Sequence, residues 1–415
     1  MLINFSVENY RSIKDEVVFT MKAASKQSDA LPDNHIVLGE VNLLKSAVMF
    51  GANASGKSSV ISAMSTMRKM VEGEKFSLQP FKFDVDFIEK PTTFKVEFLC
   101  VDTIYKYGFS VKDKTIVKEW LFCKKNKPRS KETQLFRRSY QEFENFGDFQ
   151  KEADLIKKSD ITKDSKLYLS VVSEFNGQIS KQIVGWFEIF NTTSSVNNNL
   201  FHYTLKKVEN DSQRKRVVDL MRSVDFGIAD LFLNTVKPVD IIGRDNISGY
   251  IQNTEDIEVE QINTHHHQYQ DKKFVGFESL PMAEESYGTR QLFEKSGAII
   301  EALDKGEVLV IDEMDNGFHT QMTKAIIKLF NSDKNTKNAQ LIFASHNTNI
   351  LTQDVFRRDQ IWMVEKDIYG STQLYSIAEI KGIRKDAKLE KGYLAGEYGA
   401  MPFITDLDYH NGEER

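Results

Sequence analysis

Apolar and polar positions alternate from the first residues of the chain. Ile3, Phe5 and Val7 share one side of INFSVENYRSI, the period-two pattern of a half-exposed strand. Ala47 to Phe50 is a short apolar run. A Gly-rich stretch follows it, and then Val60, Ile61, Met64, Met67 and Met70 fall on one helical stripe. Strand, turn and helix in that order make half of a βαβ unit. From about 79 to 122 the period returns to two in FKFDVDF, TTFKVEFLCV, IYKYGFSV and EWLFC, which predicts an antiparallel meander. Helical spacing dominates from about 150 to 235: Ile179, Ile183, Val184, Trp186, Phe187 and Phe190 share a face, as do Val217, Val218, Leu220, Met221 and Val224. NTTSSVNNN at 191–199 reads as a polar loop between these stripes. Strands are expected again at about 236–280, and strand–helix alternation fills about 284–365.

At 415 residues the chain suits two domains, or one large α/β domain carrying an insertion. A hydrophobic content of 40% with 28% charged residues separates it from disordered chains, so it should bury a core. Its net charge of -5 excludes a protein that seeks polyanions by composition, and any DNA contact needs a local basic patch. KKNKPRSKETQLFRR at 124–138 is such a stretch, either a phosphate-contacting stripe or a solvated loop. Two cysteines, Cys100 and Cys123, are too few for a disulfide framework or a four-thiolate zinc site and fit a reducing compartment. The opening residues carry charges where a signal peptide needs apolar ones, and no window approaches the ~18 apolar residues of a membrane span. The expectation is a soluble cytoplasmic protein with no membrane partner. Neither an internal repeat nor a long heptad seam is present.

Three strand ends carry the candidate chemistry. Gly51-Ala52-Asn53-Ala54-Ser55-Gly56-Lys57-Ser58 satisfies G-x-x-x-x-G-K-[ST] between a predicted strand and a helix, the context that motif requires. The backbone N–H groups of such a loop turn inward around phosphates, and the helix behind it points its positive end at them. Lys57 should reach the β- and γ-phosphates and the Ser58 hydroxyl should ligate Mg²⁺. Val308-Leu309-Val310-Ile311-Asp312-Glu313 is an apolar strand ending in two acids, where Asp312 would hold the Mg²⁺ shell and Glu313 would polarise the attacking water. Leu341 to His346 is a second apolar strand, ending in Ser-His. The carboxyl ends of parallel strands line the ligand crevice, so His346 is placed either to sense the γ-phosphate or to cap a helix. Ser286-Tyr287-Gly288-Thr289-Arg290-Gln291 opens an apolar helix, which makes an anion-binding start or an ordinary Ser cap. Because the phosphate loop already supplies a cradle, this second helix start is expected to serve the nucleotide of a neighbouring copy.

In order and spacing these motifs resemble those of the ABC-type ATPases, in the branch that includes the SMC and RecF proteins. Walker A lies at 51–58, the signature at 286–291, Walker B at 308–313, the D-loop at 315–319 and the switch histidine at 346. The Ser-x-Gly-Thr signature departs from the Ser-Gly-Gly of transporters. More narrowly, INFSVENYRSI, PFKFD, HHH before ESYGTRQLF, DEMDNGFH and YLAGEYGAMP look like the AAA-labelled ATPases of bacterial abortive-infection and phage-defence operons, the AbiL/Rlo-like group.

The resemblance implies an α/β P-loop NTPase of ABC-ATPase head type with an antiparallel β lobe and a mostly helical insert. Residues 1–122 would form the N-terminal half of the head, 123–280 the insert and 281–415 the C-terminal half. It implies that Gly51, Asn53, Ala54, Ser55, Gly56, Lys57, Ser58 and Ser59 bind ATP, that Ser58 and Asp312 hold Mg²⁺, and that Glu313, His346 and Lys57 serve catalysis. Ser286, Gly288 and Thr289 would approach the γ-phosphate of a second copy, and Arg11 would touch the nucleotide. The implied activity is ATP hydrolysis coupled to association of heads in a homo-dimer or higher homo-oligomer, controlling a separate nuclease-like effector in anti-phage defence. An ATP-gated scaffold with little turnover and a RecF-like DNA-repair ATPase are the alternatives. His319 stands where many relatives of the wider ABC group carry a D-loop acid, and Gln79 is the candidate Q-loop glutamine.

Three further groupings invite a reading. His265-His266-His267 would offer at most His265 and His267 to one metal, since neighbours on a strand point to opposite faces, and structural or partner contacts are the favoured role. Asp406, Asp408 and His410 fit a frayed acidic terminus better than a metal cluster. Val364-Glu365-Lys366-Asp367 is faintly similar to the opening strand of a TOPRIM nuclease, but too little chain follows to complete one.

Overall fold

The computed structural model describes residues 1–24, 31–157, 161–193, 199–223, 227–236, 259–383 and 387–401. The first part of the chain forms β1 (Leu2–Glu8), β2 (Val17–Thr20), β3 (His35–Leu38), β4 (Val41–Leu44), β5 (Ser46–Phe50), α1 (Lys57–Val71) and α2 (Val85–Ile88). Next come β6 (Thr92–Cys100), β7 (Thr103–Lys112), β8 (Thr115–Lys125), β9 (Thr133–Ser139) and β10 (Glu142–Asn145). The middle holds α3 (Gly147–Lys157), α4 (Tyr168–Glu174), α5 (Gln178–Glu188), β11 (Phe190–Thr193), α6 (Asn199–Val208), α7 (Asp211–Arg222), β12 (Ile228–Val236), β13 (Val259–Gln270) and β14 (Lys273–Pro281). The last part forms α8 (Tyr287–Lys305), β15 (Val308–Ile311), α9 (Thr320–Asn331), β16 (Gln340–Ser345), β17 (Ile361–Lys366), β18 (Thr372–Ser376) and α10 (Leu389–Leu394).

A six-stranded sheet in the order β11-β15-β16-β5-β17-β18 carries the phosphate loop, parallel throughout except at β18. Its strands read as unbroken apolar runs because both faces are covered. Ala47 and Met49 of β5, Val308 and Val310 of β15, and Trp362 and Val364 of β17 join one core with α1 and the antiparallel sheet. Their neighbours Val48, Phe50, Leu309, Ile311, Ile361 and Met363 face the other core, with α8 and α9. The α1 stripe of Val60, Ile61, Met64, Met67 and Met70 is buried in the first of these cores, as its spacing requires.

A seven-stranded antiparallel sheet, β10-β9-β8-β7-β6-β1-β2, stands against α1. On the same face, Trp186 of α5 stacks on Phe98 of β6 with ring centroids 4.0 Å apart, inside the core that α1 also joins. Buried Gln340 of β16 ties the two sheets: its side chain accepts from Leu2 N at 2.6 Å and donates to the Leu2 and Leu44 carbonyls. Since no solvent reaches those groups, each must find its partner in the protein.

The antiparallel lobe is larger than its apolar pattern suggests. β8 crosses residue 123, and β9 and β10 extend the sheet to Asn145, so 123–280 is not a mostly helical unit. Its helices lie between 147 and 222, and β12-β13-β14 forms a separate three-stranded antiparallel sheet. Residues 191–193, expected as loop, are β11 and pair in parallel with β15, because the exposed edge of the apolar β15 offers backbone partners that a polar strand can take. FKFDVDF is not a strand: Asp84 caps the short α2 by accepting from Asp86 N. In the basic stretch Lys124 pairs with Glu40, Lys125 with Asp102 and Arg137 with Glu144, and Arg138 is buried beside Glu119, while Lys127, Arg129 and Lys131 are exposed. Asp406, Asp408 and His410 lie outside the described residues. Among the described residues no helix is long and apolar enough to cross a membrane.

Candidate functional site

Strand register brings the chemistry-bearing ends together. Ser345 pairs with Phe50 and Ile311 with Phe343, so the residues after β5, β16 and β15 emerge at one edge of the sheet. Gly51, His346 and Asp312 follow those strands directly. A cavity of about 490 Å³ opens there, walled by Asn53 to Ser59, Asp312, Glu313, His346, Ser12 and Lys366. Nearly all the residues that the Walker A, Walker B and switch-histidine patterns single out therefore share one cavity.

The loop before α1 has the geometry of a phosphate cradle. Gly56 caps α1 at φ 115, a conformation that disfavours any side chain, and a Cβ there would collide with Thr372 Oγ1. Residues 55–59 wall the cavity at the positive end of a 15-residue helix. Lys57, buried, donates to the Gly51 carbonyl at 2.7 Å and the Ala52 carbonyl at 2.9 Å. Burial lowers its pKa to about 8, opposed by the carboxylates of Asp312, Glu313 and Asp315.

Asp312 is buried and its Oδ1 has no hydrogen-bond partner. An orphaned carboxylate oxygen costs free energy unless a cation or donor completes it. With the Ser58 hydroxyl on the same wall, the pair fits one side of a Mg²⁺ shell whose remaining ligands would be phosphate oxygens and water. Buried Ser55 Oγ, also on the wall, is a second unpartnered atom. Glu313 takes φ 52, a left-handed conformation that is uncommon for a residue with a side chain. It is the first residue after Asp312, and both carboxylate residues line the one cavity. His346 is open to solvent on one side, yet burial of its inner face and the Lys57 charge lower its pKa, against the pull of Asp315, Glu313 and Asp312. The adjacent Ser345 hydroxyl donates to Asp315 Oδ2 at 2.8 Å, which fixes the D-loop against β16.

Ser286 caps α8 by accepting from Thr289 N at 3.1 Å, and its hydroxyl lies 2.8 Å from Thr289 Oγ1. Gly288 packs against the Gly317 carbonyl of the D-loop. Ser286, Gly288 and Thr289 are not on the cavity wall of their own chain. Arg11 is exposed with φ 50. Its N–H donates to the Gln79 carbonyl at 2.7 Å, and neither residue lines the cavity. The residue that does so is Ser12, which the sequence pattern does not single out. Its hydroxyl donates to Ser59 Oγ, and Thr372 donates to Ser12 Oγ, both at 2.8 Å. His319 caps α9 through Gln321 N.

The three consecutive histidines make side-chain contacts within their own chain. His266 sits 2.6 Å from Glu285, which also accepts from Thr264 Oγ1, while His265 stacks on Phe232 at 3.8 Å. Among the described residues no group of three or more His, Cys, Asp or Glu is arranged to hold a metal ion. Val364 to Lys366 belong to β17 beside β5, within the phosphate-loop sheet.

The strand order, with the phosphate loop between a strand and a helix and the acidic strand two positions away, is the α/β P-loop NTPase head expected from the motifs, with an antiparallel lobe. No functionally curated protein matches the sequence. Among solved structures, an SMC head domain from Thermotoga maritima aligns over 90% of this chain and 98% of its own at 12% identity, with a TM-score of 0.40. A Pyrococcus furiosus Smc head domain with an extended coiled coil, bound to the C-terminal domain of ScpA, aligns over 95% and 98% at 11% identity, with a TM-score of 0.37. The family model described as "AAA domain, putative AbiEii toxin, Type IV TA system" matches residues 46–352, from β5 through the switch histidine. Since that span takes in the phosphate loop, the signature helix and the acidic strand, the chain belongs to this AAA-domain family.

Proposed function

We propose that the protein binds and hydrolyses ATP with Mg²⁺, and that nucleotide-driven association of two copies controls a partner effector. The observation that carries the reading is the buried Asp312 carboxylate with its unpartnered oxygen, set in one cavity with the Lys57 ammonium, the α1 N-terminus and Glu313. Lys57 and the loop N–H groups would hold the β- and γ-phosphates. Mg²⁺ bound by Ser58 and Asp312 would neutralise charge on the phosphate oxygens. Glu313 accepts a hydrogen bond from the attacking water and aligns it with the γ-phosphorus, and neutral His346 contacts the γ-phosphate edge. Catalysis is then positioning and electrostatics.

Association of copies is supported by the signature residues Ser286, Gly288 and Thr289, which form a capped helix start away from their own chain's cavity. A helix start of that kind suits the γ-phosphate held by another copy. Control of a nuclease-like effector in anti-phage defence rests on the motif resemblance and is consistent with the toxin–antitoxin wording of the family description.

Glu313→Gln tests the reading. The variant is expected to bind ATP, to release no phosphate and to accumulate as an ATP-dependent dimer in light scattering. Wild-type protein indifferent to ATP in calorimetry, or a variant that turns over at the wild-type rate, would refute it. Should the dimer and partner capture persist while wild-type turnover is negligible, the nucleotide acts as a clamp and hydrolysis is not the working step.

A further inference from the structure

The end of β17 and the turn after α10 form a clasp on the first peptide of the phosphate loop. Ala52 N donates to the Ala400 carbonyl at 3.2 Å, while the Ala52 carbonyl receives Lys57 and Ser55 N. Ala400 is itself held: its N–H donates to Glu365 Oε2 at 2.6 Å, and Tyr393 donates to its carbonyl at 3.2 Å. Two residues upstream, Tyr375 donates to the Tyr398 carbonyl at 2.8 Å. Burial and the neighbouring Glu365 charge keep that phenol protonated far above its usual range.

The turn is built for close approach. Gly399 takes φ 71, and a Cβ there would collide with the Tyr375 hydroxyl and stand 2.8 Å from Glu365 Oε2. Ala400 takes φ 56, a left-handed conformation that needs outside support in a residue with a side chain. Glu365 provides such support by fixing the Ala400 N–H. Residue Gly51 is pressed against the Val364 carbonyl, so Val364 and Glu365 bear on two consecutive residues of the loop.

We propose that Glu365 is a positioning residue for the phosphate loop: through Ala400 it fixes the Ala52 peptide, and with it the carbonyls on which the Lys57 ammonium rests. Without the Glu365 carboxylate the Ala400 turn is free to relax. The Ala52 N–H then loses its acceptor, and the Gly51 and Ala52 carbonyls can rotate away from Lys57. The phosphate cradle must then be ordered at the moment of binding, which weakens affinity rather than the chemical step. This inference rests on the reading of residues 51–58 as the nucleotide's phosphate cradle.

The test is nucleotide affinity and turnover of Glu365→Ala, Glu365→Gln and Tyr375→Phe in the full chain. Glu365→Ala should raise the Kd for ATP·Mg²⁺ about five- to tenfold, the scale of one lost hydrogen bond, while kcat at saturation changes less than about twofold. Glu365→Gln keeps an acceptor oxygen and should restore most of the affinity. Tyr375→Phe should weaken binding about two- to fivefold with an unchanged melting temperature. A purely structural role would lower the melting temperature without this split between Kd and kcat. Affinities of Glu365→Ala and Tyr375→Phe within twofold of wild type, or Glu365→Gln no better than Glu365→Ala, would overturn the proposal. If Glu365→Ala does not fold, Glu365→Gln and Tyr375→Phe decide it. Wild-type protein that binds no nucleotide would instead defeat the underlying reading of the cradle.

Discussion

The Lys57 ammonium lies 2.7 Å from the carbonyl oxygen of Gly51, the first residue of its own phosphate loop, and donates a second bond to the Ala52 carbonyl. The loop thus holds its cation on its own backbone, within the field of the Asp312, Glu313 and Asp315 carboxylates, and the ammonium stays charged near pH 7 although burial lowers its pKa to about 8. A buried amine of lowered pKa destabilises the folded state wherever the unfolded chain binds the proton more tightly.

Lys57→Met should therefore abolish ATP binding while stabilising the nucleotide-free protein by about 1 kcal/mol at pH 7, after allowance for solvent screening. The sign follows from the direction of the shift. Between the folded pKa of about 8 and the unfolded value near 10.5, the unfolded chain binds more protons and the wild type gains stability as pH rises. The variant's advantage should shrink across that window, as read by urea denaturation at pH 7, 8.5 and 10.

Asp312→Asn removes a carboxylate whose buried oxygen has no partner. Its expected effect is confined to the metal: affinity for ATP·Mg²⁺ falls at least about tenfold, and affinity for ATP in EDTA falls less than about threefold. Calorimetric titration in both buffers checks this. An equal loss in each would place Asp312 outside the metal shell.

His346 is held below its ordinary pKa by burial and by Lys57, so it is neutral at pH 7. As pH falls below about 6.5 the unfolded chain takes up a proton that the folded chain resists, and stability falls. His346→Gln should remove this contribution, flattening the melting temperature between pH 7 and 5.5 relative to wild type.

Glu119 and Arg138 sit 3.5 Å apart with no exposed side-chain surface. Glu119 also accepts from Tyr107, Tyr168 N and Leu169 N, bonds that join β7 and β8 to the start of α4, and burial raises its pKa. Arg138→Met leaves that carboxylate without its counter-ion and should cost about 3–5 kcal/mol. The double variant Glu119→Gln, Arg138→Met should recover at least half of the loss, since it buries no charge. Denaturant midpoints of the four proteins in the cycle measure the coupling.

Local patterns in the chain reveal the strands whose ends wall the cavity but not their surroundings. The phosphate loop, Asp312, Glu313 and His346 are legible because each motif is contiguous and its chemistry depends on backbone turns that particular residues permit. The fully apolar runs of β5, β15 and β16 mark strands buried on both faces, and the sheet confirms them. FKFDVDF carries a strand-like alternation, yet Asp84 offers a side-chain cap and the segment turns into α2. The polar residues 191–193 carry no strand signal, and they are a strand only because β15 leaves them an edge to pair with.

The sequence by itself determined which groups gather at one edge of the sheet, since the Gly-rich loop, the acids and the histidine each directly follow an apolar strand. Tertiary structure alone decided that Ser12 and Lys366 stand on that wall in place of Arg11, and that Ala400 grips the loop from behind. The reason is chain separation. Thr372 meets Ser12 across 360 residues and Glu365 meets Ala400 across 35, through isolated hydrogen bonds that leave no periodicity in the sequence and exist only once the sheet has set its register.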